Sequence, residues 1–247
     1  MTFYPGKFVW FELETADIGA AQAFFGEVFG WGTKTQPAGE APYEMIEVAG
    51  QLIGGYRRLH TRSDPHWASF VSTPDLDEAI ARAKGAGSRH IGEVLDTPGL
   101  GASVEIIDTV GAKLHLVTRK GGDEPERTPP PGAFMWTELV TRLPDRAVDF
   151  YKTVFGYSVK PVEMQTGGTY YVLETSATGR AGILHKEASP QWLPYVSVND
   201  CDRTLERAVR MGAKAMMPPT DIPKIGRYAV FADPQGAELA IMTPAPM

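Results

Sequence analysis

Strict alternation marks FVWFELET, residues 8–15, with Val9, Phe11 and Leu13 on one side and Trp10, Glu12 and Glu14 on the other. That is the period of a strand buried on one face. The period then changes. Ile18, Ala21, Phe25, Val28 and Phe29 fall at helical spacing, with Asp17 placed to cap the start and Gly30 to stop the helix. The short apolar runs YEMIEV and QLIGGYRR suit antiparallel strands. DLDEAIARAKGAG predicts a second helix opening at Asp75, with Ile80 and Ala83 on its apolar side, and strands return in ASVEIID and AKLHLVT.

The same plan is then written again. GKFVWFELET at 6–15 becomes GAFMWTELVT at 132–141, and five of the eight residues from Phe8 and Phe134 onward are identical. Trp10 and Trp136, Phe25 and Tyr151, and Gly30 and Gly156 are 126 apart; Trp67 and Trp192, Asp75 and Asp200, Asp108 and Asp233, and Gly111 and Gly236 are 125 apart. A register held over so long a stretch points to duplication. In the second copy Pro144 stands near the first helical turn, Ala147, Val148, Tyr151, Val154 and Phe155 follow, and Gly156 is the stop. Each copy reads βαβββ and then βαβββ. Between the copies RKGGDEPERTPPP, residues 119–131, is charged and rich in Gly and Pro, which predicts a solvated linker. The expected organisation is module 1 over 1–119, a linker over 120–131 and module 2 over 132–247.

Composition narrows the function. With 247 residues, 43% of them hydrophobic, each half is long enough to bury its own core. A net charge of −6 provides no basic field for nucleic acid or an anionic membrane, so neither is an expected partner. No apolar run approaches the ~20 residues of a membrane span. The lone Cys201 cannot form an internal disulfide and reads as a small buried side chain, and MTFYPGKF lacks the apolar run of a signal peptide, so a cytoplasmic location is expected. The glycines of GGY and GLG suit turns, since no phosphate-loop motif is present.

Several polar and aromatic residues share one side of the predicted strands. Glu12 and Glu138 lie two residues beyond Trp10 and Trp136. A carboxylate beside a large aromatic would have a raised pKa and could act as a general base, or could hold a cationic or hydroxylated ligand. The alternative is a pairing with Arg or Lys, such as Lys113. His115, between Leu114 and Leu116, faces away from the core, as a groove acid, base or hydrogen-bond donor or as a sheet-edge histidine. The aromatic sets Trp10, Phe70 and Tyr56, and Trp136, Tyr195 and Tyr228, could line a pocket for a flat organic molecule. Trp67 and Trp192 have the opposite parity and are expected against helices. Asp75, Asp77, Asp200 and Asp202 fit helix caps and first turns better than a metal site.

Through VWFELETADIGAAQAFFGEVFGW, PHWASFVSTPDLDEAIARAKGAG and DIPKIGRYAVFADPQGAELAIMTPAP, the chain resembles the vicinal oxygen chelate superfamily of glyoxalase I, extradiol dioxygenases and bleomycin resistance proteins. It is most similar to the two-module, glyoxalase-like bacterial members. The resemblance spans nearly the whole chain outside the linker. It implies an α+β fold of two tandem modules, each made of two βαβββ units forming an open curled β-barrel, with helices outside and a ligand groove on the concave face. In metal-dependent relatives an ion is held by a residue on the first and on the last strand of each unit. The usual first-strand ligand is a His seven positions before the acid that opens the helix; here those positions are Trp10, Ala68 and Leu193, with Trp136 at the matching place in the third unit. The last-strand position falls on His115 and Ala240, and near Arg57 and His185. At most one candidate ligand remains per module, where a divalent ion needs about three. The expectation is a protein without a catalytic metal or other cofactor, a divalent ion being the disfavoured alternative. It would bind a small aromatic or hydrophobic organic molecule through Trp10, Trp136, Phe70, Tyr195, His115 and His185, with Glu12 and Glu138 as the groove carboxylates. The alternative is a glyoxalase-like enzyme, either a metal-dependent lyase, isomerase, dioxygenase or hydroxylase, or a metal-free enzyme using a carboxylate base. In a third reading one groove is an interface for the other module or for a second chain. The chain is expected to be a monomer with paired modules or a homodimer.

Overall fold

The computed structural model describes residues 1–38, 42–59, 64–165 and 167–246. The alternating opening forms β1 (Phe8–Thr15), and the helical spacing after it forms α1 (Ile18–Phe29), followed by β2 (Gly32–Gln36), β3 (Tyr43–Val48) and β4 (Gln51–Arg58). Next come β5 (His66–Ser72), α2 (Leu76–Gly85), β6 (His90–Ile91), β7 (Leu95–Thr97), β8 (Gly101–Ile107) and β9 (Lys113–Arg119). The second copy begins with β10 (Phe134–Thr141), α3 (Pro144–Phe155), β11 (Ser158–Glu163), β12 (Thr169–Thr175) and β13 (Thr178–His185). It ends with β14 (Gln191–Ser197), α4 (Cys201–Arg210), β15 (Lys214–Ile222), β16 (Gly226–Ala232) and β17 (Glu238–Pro244). The short β6 and β7 take the place that the long, twice-shifted β15 fills in the second copy.

Local chemistry sets the helix ends. The Asp17, Asp75 and Asp200 carboxylates accept the amides of Ala20, Glu78 and Arg203 at 3.0, 2.9 and 3.0 Å. Gly30 and Gly156 stop α1 and α3 in the left-handed region, at φ 72° and 69°. All five are the cap residues that the periodicity predicts.

The strands form two sheets, one per sequence copy, in the orders β2-β3-β4-β1-β5-β9-β8-β6, with β7 also on β8, and β11-β12-β13-β10-β14-β17-β16-β15. The pairs β1/β4, β5/β9, β10/β13 and β14/β17 are parallel. The α+β plan of two tandem modules is therefore present. The chain packs as two compact units that draw on both modules: a first unit of 1–10, 68–125 and 137–192, and a second of 11–67, 126–136 and 193–247. Four of the five crossings between them follow a tryptophan, at Trp10, Trp67, Trp136 and Trp192.

In the first unit, Val71, Val104, Ile106, Leu114 and Leu116 pack with Ala79 and Ala83 of α2, with Phe150, Tyr151 and Val154 of α3, and with Leu139, Leu173 and Ile183. One polar relay runs through this core. Asp108 Oδ1 accepts the amides of Val110, Gly111 and Ala112, and its Oδ2 accepts the Tyr151 hydroxyl at 2.8 Å. That hydroxyl accepts the indole N–H of Trp192 at 3.1 Å. Burial pushes the pKa values of the Asp108 carboxyl and the Tyr151 phenol upward, against the hydrogen bonds that favour the Asp108 anion.

The second unit is held by rings. Phe25 of α1 lies 5.1 Å from Trp31 and 5.6 Å from Trp67, Trp31 lies 5.5 Å from Phe134, and Phe24 lies 6.1 Å from Phe231. Trp67 and Trp192 thus pack against helix residues, as their parity predicts. Cys201 is buried, its thiol pushed up to about 12 by desolvation.

The predicted linker is not solvated throughout. Asp123 is buried and accepts the Tyr4 amide at 2.7 Å and the Ser72 hydroxyl at 2.6 Å, while its own amide donates to the Thr2 carbonyl at 2.8 Å. Gly122, at φ 89°, passes so close to Thr2 that a side chain would meet its backbone. Charge and proline content alone gave no sign of this anchor. Among the described residues no helix is long and apolar enough to cross a membrane.

Tyr151→Phe should leave Asp108 Oδ2 and Trp192 Nε1 buried without the hydroxyl between them. We expect a loss of about 1–3 kcal/mol in denaturant unfolding, with no change in the slope of the transition.

Candidate functional site

The face of each sheet that carries the Trp-x-Glu strand is the candidate surface. In the second unit, Glu12 pairs in register with Gly55 and Glu14 with Arg57, while Met45 lies opposite Gly55. These pairings bring Tyr43, Gly55 and Arg57 to the Glu12 side. Glu12 is fully buried and accepts the Tyr43 hydroxyl at 2.6 Å and Arg57 Nε at 2.5 Å. Burial works against the Arg57 cation, but the charge and hydrogen bond of Glu12 outweigh it and hold the guanidinium pKa above its ordinary value. Glu12 is therefore the inner half of an ion pair and not a carboxylate set bare beside an aromatic. Its partner is Arg57 and not Lys113, which reaches Glu105 at 3.7 Å. Glycine makes the arrangement possible, because a Cβ at Gly55 would collide with the Tyr43 hydroxyl.

The device recurs in the first unit. Glu138 pairs in register with Gly182, the Tyr170 hydroxyl donates to Glu138 Oε2 at 3.2 Å, and a Cβ at Gly182 would collide with that hydroxyl. The copies differ at one point. Val140 pairs with Leu184, so leucine stands where the first copy has Arg57. His185 falls one residue later, opposite Thr141 and so on the other face from Glu138; its half-exposed ring lies 3.5 Å from Glu187. The expectation that His185 joins the groove fails on this one-residue register. Tyr56 fails likewise. It pairs with Leu13 on the core side, where burial pushes its phenol well above the usual range.

His115 does lie on the side away from its core neighbours Leu114 and Leu116, in register with Phe70 and Glu105. Its ring stacks on Phe70 at 4.3 Å with an interplanar angle of 20°, and Nε2 lies 3.9 Å from Glu105. Its side chain is 14% exposed, which makes it an enclosed histidine and not one at a sheet edge. Trp10, at 1% exposure, is wholly packed and presents no open ring wall.

The matching positions of the second copy, in the second unit, are apolar. Tyr195 and Ala240 pair where Phe70 and His115 stand in the first copy, and Val230 lies opposite Ala240. On a buried floor of Leu193, Tyr195, Val230, Ala240 and Met242 sit the partly exposed Trp136, Tyr228, Met217 and Met135. The Tyr195 and Tyr228 rings are 6.2 Å apart and tilted by 30°.

The positions at which metal-dependent relatives would hold an ion carry Trp10, Ala68, Trp136 and Leu193 on first strands, and Arg57, Leu184, His115 and Ala240 on last strands. Among the described residues no group of three or more His, Cys, Asp or Glu is arranged to hold a metal ion. These side chains do not fit a divalent ion.

The periodicity of the first strand identified the carboxylates but missed Tyr43, Gly55, Tyr170 and Gly182. The signal was a further repeat offset, since Tyr43 to Tyr170 and Gly55 to Gly182 are each 127 apart.

The family model described as Glyoxalase/Bleomycin resistance protein/Dioxygenase superfamily matches residues 133–241, and that described as Bleomycin resistance protein-like N-terminal matches residues 7–39. "Putative glyoxylase CFP32" of Mycobacterium bovis (strain ATCC BAA-935 / AF2122/97) is 28% identical over 246 residues, covering 96% of this chain and 94% of that protein. "Anthracycline biosynthesis protein DnrV" of Streptomyces peucetius is 30% identical over 260 residues, covering 97% of this chain and 94% of that protein. Among solved structures, the Mn(II)-bound glyoxalase from Novosphingobium aromaticivorans has a TM-score of 0.69 at 17% identity, over 97% of this chain and 82% of that one. At that identity the likeness concerns the two-module fold alone.

If glycine seats the tyrosine hydroxyl, Gly55→Ala should destabilise the protein by about 1–3 kcal/mol through overpacking. Tyr43→Ala should remove the collision, so that in denaturant unfolding the double variant loses less than the sum of the two single changes.

Proposed function

We propose that this chain, which belongs to the Glyoxalase/Bleomycin resistance protein/Dioxygenase superfamily, binds a planar aromatic organic molecule on the face of its second module's sheet that carries Trp136, using its own side chains and no metal ion. The observation that carries this reading is the partly exposed group of Trp136, Tyr228 and Met217 on the floor that includes Tyr195. Rings and a thioether offer broad, polarisable surface to a flat ligand, and a buried floor fixes their positions at little entropic cost. The name of the Streptomyces relative supports the same chemistry, because an anthracycline is a fused-ring aromatic. In the first module the corresponding polar groups are engaged with one another, Glu12 with Arg57 and Tyr43, and His115 with Phe70. We assign ligand contact to Trp136 and Tyr228, with Tyr195 as the buried floor beneath them, and the repeated unit of function to residues 132–247, with 1–119 as its diverged copy and 120–131 as the connection.

A second reading, an enzyme with a carboxylate base, is favoured by Glu138 alone. It accepts a phenolic hydroxyl that could hold it toward a substrate proton.

Titration with an anthraquinone should quench tryptophan fluorescence, and Trp136→Ala or Tyr228→Ala should weaken binding by about tenfold or more, as the loss of one aromatic contact implies. Dialysis against EDTA should leave the affinity unchanged. A tightly held divalent ion on which binding depends would overturn the proposal. Glu138→Gln that abolishes turnover of a bound aromatic while sparing its affinity would instead support the enzyme.

A further inference from the structure

The relay of Asp108, Tyr151 and Trp192 in the first unit has a counterpart in the second from which one atom is missing. The duplicated positions are Asp233, Phe25 and Trp67. Their setting is closely similar. Phe25 and Trp67 are 5.6 Å apart at 69°, against 5.2 Å and 84° for Tyr151 and Trp192. Phe25 stacks on Phe29 at 5.9 Å and 12°, against 6.2 Å and 8° for Tyr151 on Phe155. Phe24 meets Phe25 edge-on at 4.9 Å and 81°, as Phe150 meets Tyr151 at 5.2 Å and 87°. Asp233 Oδ1 accepts the amides of Gln235, Gly236 and Ala237 at 2.9, 2.8 and 3.0 Å, reproducing the turn at Asp108.

What differs is the hydroxyl. Phenylalanine cannot donate to the carboxylate or accept from the indole, and both groups remain buried. Asp233 and Trp67 are 4% and 5% exposed, and neither Asp233 Oδ2 nor Trp67 Nε1 has a hydrogen-bond partner among the described residues. An anionic acceptor and an indole donor left so in a core are each costly, and such groups in folded proteins are nearly always satisfied. A ligand for this place must donate to one and accept from the other, as the Tyr151 hydroxyl does, and must be small enough for a core.

We propose that a single buried water bridges Asp233 Oδ2 and Trp67 Nε1 beside the edge of the Phe25 ring, in the role that the Tyr151 hydroxyl has in the other unit. The water donates one hydrogen to the carboxylate and accepts the indole N–H, which gives it the two polar partners that internal waters need. It would link the turn before β17 to the start of β5 within the second unit.

The test is a crystal structure at about 1.5 Å resolution of the wild-type chain and of Phe25→Tyr, with melting temperatures of both. Wild type should show a water within hydrogen-bond distance of both atoms. Phe25→Tyr should show the new hydroxyl there with the water expelled, and should melt higher by roughly 3–8 °C. No water between the two atoms in wild type overturns the proposal, as does a Phe25→Tyr protein that keeps the water or melts lower. Should that variant not fold, Tyr151→Phe offers the converse: its structure should gain a water between Asp108 and Trp192, and a dry site there overturns the proposal.

Discussion

A central strand buried on both faces must satisfy two environments at once, and that constraint organises both modules. On one side of β1 and β10 the alternation supplies apolar residues to a core; on the other it places a carboxylate where little water reaches, Glu12 at 0% and Glu138 at 7% exposure. Burying such a charge without partners would cost several kcal/mol. The neighbouring strands answer with a tyrosine hydroxyl in each copy, and the hydroxyl fits only because glycine lies beneath it. The choice of Tyr at 43 and 170 and of Gly at 55 and 182 is thus a consequence of the glutamates.

The duplicated copies have diverged chemically more than structurally. The first carries Arg57 on its glutamate and a histidine stacked on Phe70 with its Nε2 toward Glu105. The second carries Leu184, Tyr195 and Ala240 at those places, leaving an aromatic and thioether surface. Such a division is what duplication permits. In the first copy the polar groups turn to each other, Glu12 to Arg57 and Tyr43.

Most of the fold was legible because it rests on local chemistry. The aspartate caps, the left-handed glycines and the change from a period of two to one of 3.6 are all set within a few residues. The candidate site was legible only in part. Parity put Trp136, Tyr195 and His115 on the side away from the core, since each lies on a strand whose neighbouring residues identify the core side. It was no guide to Tyr56 and His185, one grouped with other aromatics and one placed by its nearness to a ligand position, because their facing depends on strand register. Partners such as Tyr43 for Glu12, 31 residues apart, or Asp123 for Ser72, 51 apart, come from tertiary pairing that no local period records.

The passage of the chain between units at its tryptophans bears on the protein's ancestry. Each compact unit takes one half of each module, so a solitary module would have both half-cores open. An ancestor of one module's length could have closed them only by exchanging halves with a second copy of itself, and its folding would then have depended on concentration. Joining the copies in one chain would make that encounter intramolecular, at an effective concentration on the order of millimolar for a short flexible connection. It would also let the duplicated positions mutate separately, and Phe25, which the repeat matches with Tyr151, is one such difference in the interior.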